Sequence, residues 1–410
     1  MTAAEDPVDS AAAWWRLAAA LLMSTLGGVG MWSYVVALPS VQLEFGIGRA
    51  AASSPYTATM IGFAIGGVVM GKLADRFGVF VPVTLGILMM AAGYMLAGSA
   101  TGIGELAIVH GVLIAAAGSS ATFGPLIADV SHWFMRRRGV AVAIAASGNY
   151  LAGTFWPPVL QFFIESHGWR ATHFGIGVFC LATMLPLALT LRRRAPIHET
   201  TAATRAAASA ARPMGLQPNV LLALLAAAGV ACCVAMSMPQ VHIVAFCGDL
   251  GYGAAAGAQM LALMMGFGIV SRLASGFIAD RIGGLRTLLL GSVLQGIALV
   301  MYLPSDALWS LYVVSALFGL FQGGIVPSYA IIVREYFAPN EASAKVGVVL
   351  MATMAGMALG GWMSGKVFDL TGSYSAAFLN GIAWNLLNMT IVLWLLSRAR
   401  RVRAQAALIA

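Results

Sequence analysis

The sequence contains very little charge for its length. Only 9% of its 410 residues are Asp, Glu, Lys or Arg, whereas a soluble chain has roughly 25%. Hydrophobic residues make up 60% of the chain, and the mean hydropathy is +0.87. A soluble protein of this size could not cover its surface with so few charges. The composition therefore excludes a soluble globular protein and predicts an all-α polytopic membrane protein.

Cysteine and the signature motifs of several other classes are scarce or missing. The four Cys residues have no metal-ligand spacing with His, so we expect neither a disulfide framework nor a metal site. The sequence has no G-x-x-x-x-G-K-S/T phosphate loop, no H-E-x-x-H motif and no paired acids inside its apolar runs. These absences argue against ATP-driven transport by this chain and against intramembrane proteolysis. We expect no enzymatic activity and no cofactor.

The basic residues indicate a membrane topology. The formal net charge is +8, but Lys and Arg lie between apolar runs, so no nucleic-acid partner is expected. If both termini are cytoplasmic, every Lys and Arg is cytoplasmic except Arg49, Arg170, Lys366 and Arg272, the last of which lies inside a span. Cytoplasmic loops are enriched in these residues. We therefore predict a multi-pass protein of the cell membrane or inner membrane with both termini in the cytoplasm.

Apolar runs long enough to cross a bilayer fill the chain. A hydrocarbon core of roughly 30 Å needs about 20 apolar residues per helix. Twelve runs reach that length: 14–40, 49–72, 79–100, 104–133, 137–165, 171–192, 218–246, 254–279, 284–303, 306–335, 341–368 and 374–397. Glu5, Asp6 and Asp9 precede the first run and have the wrong charge for a signal peptide, so we expect that run to be retained as a helix.

The two halves of the chain repeat each other. The one long polar interruption predicts an N-terminal six-helix bundle over 1–192, a cytoplasmic linker over 193–217 and a C-terminal six-helix bundle over 218–410. The residues at 71–78 recur at 276–283. Further landmarks recur at nearly the same spacing: Pro125 with Pro327, Trp133-Phe134 with Tyr336-Phe337, and Gly168 with Gly372. Parallel repeats of six helices are a transporter architecture, so we predict two pseudo-symmetric bundles.

The repeated segment resembles the G-x-L-A-D-R-x-G loop motif of the major facilitator superfamily, and the resemblance covers essentially the whole chain. Asp75 and Asp280 would end helices whose dipoles disfavour negative charge at that position. Each therefore needs a partner, either Arg76 or Arg281 beside it or the N-terminus of a neighbouring helix. The resemblance implies that these four residues form a cytoplasmic gate. A solvated turn is the alternative.

A second segment narrows the resemblance. Residues 133–141 read W-F-M-R-R-R-G-V-A and are followed by Ala146-Ser147-Gly148 and Gly153. Together with Gly168-Trp169-Arg170, this pattern is similar to monocarboxylate porters and oxalate–formate exchangers. The resemblance implies a secondary transporter, and we expect it to act as a monomer in the lipid bilayer.

Arg272 is a charge inside an apolar run. It lies about two turns before Asp280, roughly 12 Å from the predicted cytoplasmic end of the eighth helix. An Arg at that depth costs at least roughly 2.5–3.5 kcal/mol, and it cannot deprotonate. A bound anion or a water-filled cavity must compensate, and a guanidinium suits two-point contact with a carboxylate. The resemblance implies an Arg in helix eight that meets the substrate carboxylate.

A structural ion pair is the alternative for Arg272. The sequence does not favour it, because all 15 Asp and Glu residues lie in loops, tails or near helix ends. Asp129 is the acid nearest to mid-membrane, and we predict that it pairs with the trio Arg136-Arg137-Arg138 or with His132. One intramembrane cation favours a monocarboxylate over a dicarboxylate.

The remaining candidates for the substrate site come from the helices that line the central cavity in this family, the first, fourth, seventh and tenth, with the fifth added. They are polar or aromatic side chains: Trp32, Tyr34, Ser119, Thr122, Phe123, Asn149, Tyr150, Gln240, His242, Gln322 and Tyr329. Phe123 stands where the family has a Tyr, which indicates a more apolar or aromatic ligand. Ser and Thr in membrane helices also bond to their own backbone.

Proton coupling is left open by the sequence. Animal-type monocarboxylate porters have a Lys in helix one and an Asp one turn before the helix-eight Arg. The corresponding positions here are Ser40 and Gly268. The proton carrier would have to be His242, another His, or the substrate itself, since a His titrates near neutral pH.

We therefore predict a secondary active transporter of a small organic anion, a monocarboxylate, that works by alternating access as a proton symporter or an anion exchanger. A drug or aromatic-compound exporter of the same fold is the first alternative. A membrane sensor that binds a ligand without moving it is the second.

Overall fold

A computed structural model describes residues 8–193 and 215–409 of the chain, without the side chains of residues 339, 340, 343 and 403–409. The described part consists of helices and the turns between them. Most of the predicted linker, residues 194–214, lies outside the described residues. The chain divides into two compact units, Met1–Glu199 with Gly253–Ala262, and Thr200–Tyr252 with Leu263–Ala410.

The first unit contains the helices of the first half of the sequence. In chain order they are α1 (Ala11–Gly27), α2 (Val29–Phe45), α3 (Arg49–Ala52), α4 (Ser54–Phe77), α5 (Phe80–Gly98), α6 (Ile103–Val109), a π-helix (His110–Ser119), α7 (Gly124–Trp133), α8 (Arg138–Ala146), α9 (Gly148–Ala188) and a 3-10 turn (Leu189–Leu191).

The second half of the sequence forms longer helices with fewer interruptions. They are α10 (Pro218–Asp249), α11 (Ala254–Ile282), α12 (Gly284–Tyr302), α13 (Leu308–Gln322), α14 (Ile325–Tyr336), α15 (Pro339–Thr371) and α16 (Tyr374–Ile409).

The helices confirm the predicted number of crossings. Eleven segments of the described residues are long and apolar enough to span a membrane, and one of them, Arg138–Leu191, has 54 residues. A single crossing needs about 20 residues. Gly168 lies inside that segment with φ 79° and ψ 160°, a conformation that ends a helix. It therefore divides α9 between two crossings, which gives the twelve spans expected from the sequence.

The repeated loop has the same backbone in both halves. Gly78 after α4 has φ 83° and ψ 162°, and Gly283 after α11 has φ 85° and ψ 160°. In each loop the Gly N–H donates to the carbonyl of the Ala four residues earlier, at 2.8 Å. Residues other than glycine rarely adopt positive φ. The repeated glycine is therefore required by the turn itself.

Small residues let neighbouring helices approach closely within each unit. A Cβ added at Gly62 would lie 2.0 Å from the Gly111 carbonyl oxygen, and one at Gly66 would lie 2.1 Å from that of Ala116. In the second half, Gly356 and Gly360 bring α15 against the backbone of α10 in the same way. Small residues spaced by four are the expected device for such contacts in membranes.

We expect Gly66→Ala to lower the melting temperature of the detergent-solubilised protein. Its methyl group would meet the backbone of the π-helix, and such overpacking costs about 1–3 kcal/mol. Gly67→Ala is the matched control, because nothing lies within 4 Å of its added Cβ. Ala favours a helix over Gly by about 1 kcal/mol, so the control should melt at the same or a higher temperature. Equal melting temperatures for the two variants would contradict the packing assignment.

Candidate substrate-binding site

Interrupted helices mark the candidate site in both halves. The fourth span breaks at residues 120–123, between the π-helix and α7, and the tenth breaks at Gly323 and Gly324, between α13 and α14. These breaks occupy equivalent positions in the sequence repeat. In the first unit, α1 and α2 are also separated at Gly28, and α8 and α9 at Ser147. Discontinuous helices indicate binding sites in transporters, because broken helices leave backbone groups available to ligands.

Trp32 and Asn149 are brought together beside two of these breaks. The Trp32 indole Nε1 donates to the backbone carbonyl of Asn149 at 3.3 Å. In the part of the chain that the structure describes, the Asn149 Oδ1 atom is buried and accepts no hydrogen bond. Tyr150 follows Asn149 and is 8% exposed. The amide oxygen of Asn149 is thus an available acceptor on the residue that bonds to Trp32.

Ser119 and Thr122 hold the backbone at the breaks. Ser119 Oγ donates to the carbonyl of Gly27 at 2.7 Å, and Thr122 Oγ1 donates to that of Ser119 at 2.9 Å. Both side chains are buried. Phe123 lies at the break itself and packs against Phe63, with ring centroids 5.9 Å apart. The hydroxyls thus satisfy backbone groups, as Ser and Thr commonly do in membrane helices.

Tyr34 lies deeper in the first unit than the cavity-lining prediction implies. Its hydroxyl donates to the carbonyl of Ala52 at 2.5 Å, and its ring contacts His110 with centroids 5.1 Å apart. The side chain is 1% exposed. The neighbouring Ser33 forms a hydrogen bond of 2.7 Å with the hydroxyl of Tyr94. Tyr34 therefore connects α2 of the first span to the π-helix of the fourth span.

Gln240 and Gln322 form a buried pair in the second half. Gln240 Nε2 donates to Gln322 Oε1 at 2.8 Å, and the two side chains are 4% and 0% exposed. Gln322 ends α13, directly before the break. Within the described residues, its Nε2 atom is buried and donates no hydrogen bond. This amide is an available donor at the interrupted helix.

His242 and Tyr329 contact other helices. His242 Nε2 donates to the carbonyl of Gly361 in α15 at 2.8 Å. Tyr329 donates its hydroxyl to Asn388 Oδ1 at 3.1 Å. Asn388 in turn donates to Ser292 Oγ at 2.7 Å. The tyrosine thus belongs to a polar network that joins α14, α16 and α12.

Arg272 lies on the helix that packs against the break in the tenth span. The preceding Ser271 accepts a hydrogen bond from the backbone N–H of Gly324 at 3.2 Å. A Cβ added at Gly323 would lie 2.3 Å from the carbonyl oxygen of Gly268, so α11 meets this backbone directly. Arg272 itself is half-buried. Arg272 therefore lies on the turn of α11 that is next to the break in the tenth span.

The residues of the predicted gate are exposed. Asp75, Arg76, Asp280 and Arg281 all lie on the surface at the ends of α4 and α11. Over the described ranges, neither aspartate forms an ion pair with the arginine beside it. Arg76 instead lies over the ring of Phe77, 5.2 Å from its centroid. The gating role of the four residues stays a prediction.

The partner of Asp129 differs from the prediction. Asp129 pairs with Arg16 of α1, through Nε at 2.8 Å and Nη2 at 3.0 Å, and with neither the arginine trio nor His132. Arg16 also donates to the carbonyl of Thr190 at 3.0 Å and lies over the ring of Trp133. Both charged side chains are buried. Sequence reasoning missed Arg16 because distant segments supply the two charges, and because Arg16, near the start of the first apolar run, was counted with the cytoplasmic basic residues.

The described residues contain no group of three or more His, Cys, Asp or Glu side chains that could hold a metal ion. Two apolar grooves of about 620 and 460 Å³ lie on the first unit. None of the predicted substrate residues lines either groove. Each unit therefore has its own candidate residues, the side chains at its helix breaks.

Comparison with known proteins gives consistent results. A family model described as Major Facilitator Superfamily matches residues 20–308 and 274–408. Monocarboxylate transporter 13 from Bos taurus is 28% identical over 330 residues, which is 78% of this chain and 75% of that protein. Monocarboxylate transporter 11 from Mus musculus is 26% identical over 391 residues, which is 91% of this chain and 85% of that one.

Two solved structures share the fold. A bacterial homologue of the human lysosomal transporter Spinster, in an inward-facing and occupied conformation, has a TM-score of 0.73 at 15% identity and covers 94% of this chain and 97% of its own. The nucleoside transporter NupG has a TM-score of 0.71 at 13% identity, with coverage of 93% and 99%. At these identities the likeness supports the fold alone.

We expect Asp129→Asn to destabilise the protein by about 3–5 kcal/mol, because it would leave the buried Arg16 charge uncompensated. The melting temperature and the fraction of folded protein after solubilisation measure this effect. Glu341→Gln is the control, since its pair with Lys345 joins side chains that are 14% and 56% exposed, and such helix-surface pairs contribute about 0.3–0.5 kcal/mol. A small effect at both positions would show that the Arg16–Asp129 pair is dispensable.

Proposed function

Since this chain belongs to the Major Facilitator Superfamily, we propose that it is a secondary transporter of a small organic anion with one carboxylate. It is a multi-pass membrane protein and a transporter by family. The proposed finer assignment is a monocarboxylate carrier of the cell membrane with both termini in the cytoplasm. The relatives named monocarboxylate transporters support this substrate class.

One observation carries the proposal. Arg272 is a permanent cation in the interior of α11, and its neighbour Ser271 bonds directly to the interrupted backbone of the tenth span. A guanidinium in a membrane helix carries an energetic penalty that deprotonation cannot remove. A carboxylate bound through two parallel N–H···O contacts neutralises that charge with matched geometry. The nearby break can add backbone or amide donors to the same anion.

Gln322 extends the proposed site beyond the charge within the second unit. Its Nε2 atom is buried and donates to no described group. Such an atom favours a ligand that carries a hydroxyl or keto oxygen besides its anionic end. A small hydroxy or keto monocarboxylate meets these requirements. Asn149, Trp32 and Phe123 of the first unit stay predicted candidates.

The proposed mechanism is alternating access controlled by charge. In this proposal an empty carrier changes state slowly, because Arg272 then lacks the carboxylate of the substrate. Binding of the carboxylate neutralises that charge, so the occupied carrier can close and reopen on the other side. A ligand shifts such an equilibrium only by its difference in affinity between the states. This scheme predicts exchange of anions, or net uptake when a proton travels with the anion.

We expect Arg272→Ala to reduce carboxylate counterflow in proteoliposomes by at least about thirtyfold. Loss of one partner of a buried charge pair costs about 2 kcal/mol or more. The probes are radiolabelled lactate, pyruvate and benzoate, each measured against an excess of the same anion inside the vesicles. Arg272→Lys should retain part of the activity because it keeps the charge and loses the planar fork.

Arg286→Ala is the matched control for this experiment. Arg286 is exposed at the start of α12, so its removal changes the net charge equally and should leave counterflow within about twofold. Retained uptake by the folded Arg272→Ala protein would refute the assignment of Arg272. Stabilisation of the wild-type protein by lipophilic cations and not by the carboxylates would refute the substrate class.

A further inference from the structure

Two histidines lie in contact in the interior of the first unit. His110 is the first residue of the π-helix, and His173 lies in the part of α9 that follows Gly168. Their side chains are 0% and 1% exposed. The ring centroids are 5.5 Å apart at an interplanar angle of 73°. Lengthened helical turns of the π type occur frequently at functional sites.

The ring nitrogens of this pair are mostly unsatisfied. His173 Nδ1 donates to the carbonyl of Trp169 at 2.7 Å. In the part of the chain that the structure describes, neither nitrogen of His110 has a hydrogen-bond partner, and His173 Nε2 has none. A neutral imidazole has one donor and one acceptor, and buried polar groups are almost always bonded. Two facing imidazoles with unbonded ring nitrogens can bind a proton between them.

The groups around the pair are neutral aromatic rings and hydroxyls. Tyr34 of α2 faces His110 at 5.1 Å. Tyr94 of α5 faces His110 at 6.2 Å and His173 at 5.6 Å, and its hydroxyl bonds to Ser33 of α2 at 2.7 Å. Trp169 packs edge-on against His173 at 5.4 Å.

The remaining neighbours complete this shell. Helix α4 meets the same turn of the π-helix through Ala58 and Gly62, which carry no titratable group. Cys180 of α9 is also titratable and lies beside Tyr94. The charged groups near the pair, Glu44 and Arg170, lie at the end of the unit and form an ion pair of 2.8 Å.

Hydrogen bonds connect the pair to the predicted exterior surface. Glu44, whose side chain is 42% exposed, accepts from the indole Nε1 of Trp169 at 2.5 Å. The carbonyl of the same Trp169 accepts from His173, one helical turn deeper. The buried pair therefore lies one helical turn from a residue that bonds to a solvent-exposed carboxylate.

We propose that His110 and His173 bind one proton between them and are the proton site of this transporter. The proton comes from exterior water and binds a ring nitrogen lone pair. The imidazolium N–H then donates to the neutral ring beside it, which supplies the missing partner. Two imidazolium ions in contact would repel each other in a buried site, so the pair takes one proton. The coupling to transport rests on the proposed carboxylate function, since one proton neutralises one carboxylate anion.

The pair lies close to Trp32, a predicted substrate residue of the same unit. Tyr34 and Ser33, which contact the pair and its neighbour Tyr94, directly follow Trp32 on α2. When the pair gains a proton, the interactions of Tyr34 and Ser33 on α2 change. Neither histidine needs to touch the substrate for this effect. His110 and His173 are therefore positioning residues for the anion and binding residues for the proton.

Proton binding can be measured without any substrate. The full-length protein, labelled with ¹⁵N-histidine and held in lipid nanodiscs, is titrated between about pH 4.5 and pH 8, the range in which histidine charge changes. The ring-nitrogen signals of His110 and His173 are assigned with His110→Gln and His173→Gln. We expect the two rings to gain one proton in total and to shift together. Rings that stay neutral throughout, or that each gain a full proton independently, would overturn the proposal.

Transport then tests the coupling, with lactate as the probe. One pH unit across the vesicle membrane can drive about tenfold accumulation of an anion carried with one proton, because a pH unit is a tenfold change in equilibrium. We expect His110→Gln to abolish this accumulation, because only one of the two rings that hold the proton then remains. His167→Gln is the control, because His167 is exposed in the same region and should keep full accumulation.

The two measurements separate the possible failures. Full gradient-driven accumulation by His110→Gln and His173→Gln would overturn the coupling even if the pair binds a proton. If the wild-type protein moves none of the carboxylate probes, the proposed function fails, and the titration still decides whether the proton site exists. If both variants are lost from the membrane, the signals are assigned by substituting the other four histidines of the chain, and the titration decides.

Discussion

A backbone inside a lipid bilayer has no water to bond with, and this constraint decides where the polar side chains of the protein lie. Each break in a spanning helix releases N–H and C=O groups that another part of the protein must satisfy. Ser119 donates to the carbonyl of Gly27, and Ser271 accepts from the N–H of Gly324. The hydroxyl of Tyr34 donates to the carbonyl of Ala52. The breaks thus gather polar residues from several helices.

The two halves share the positions of their helix breaks and glycine turns, but they differ in the side chains around them. The glycines that end α4 and α11 have nearly the same dihedral angles, and both the fourth and tenth spans are interrupted. Around the first interruption lie Ser119, Thr122 and the ring of Phe123, and a histidine pair lies elsewhere in that half, whereas a glutamine pair and Arg272 lie near the second. Steric requirements on the backbone fall equally on both copies, while side chains at the same positions are free to diverge. A titratable set of groups in one half and a permanent cation in the other follow from that freedom.

Much of the fold could be predicted because the bilayer imposes strong and simple rules. Length and hydropathy predicted twelve spans, and the structure agrees once the turn at Gly168 is taken into account. The repeated sequence motif predicted equivalent turns, and both contain a glycine with positive φ. The candidate site was less predictable. Ser119 and Thr122 satisfy backbone groups, and Asp129 pairs with Arg16. A side chain's partner depends on which distant helix faces it, and a periodic pattern does not carry that information.

The sequence by itself determined the membrane environment, the number of crossings, the internal repeat and the family, because these depend on composition and on spacing along the chain. It also identified Arg272 as an unusual charge, since depth in a helix can be counted from its end. Only the tertiary structure brought His110 beside His173 and Gln240 beside Gln322. Contacts of that kind join residues far apart in the chain, and the packing of helices against one another decides which of them meet.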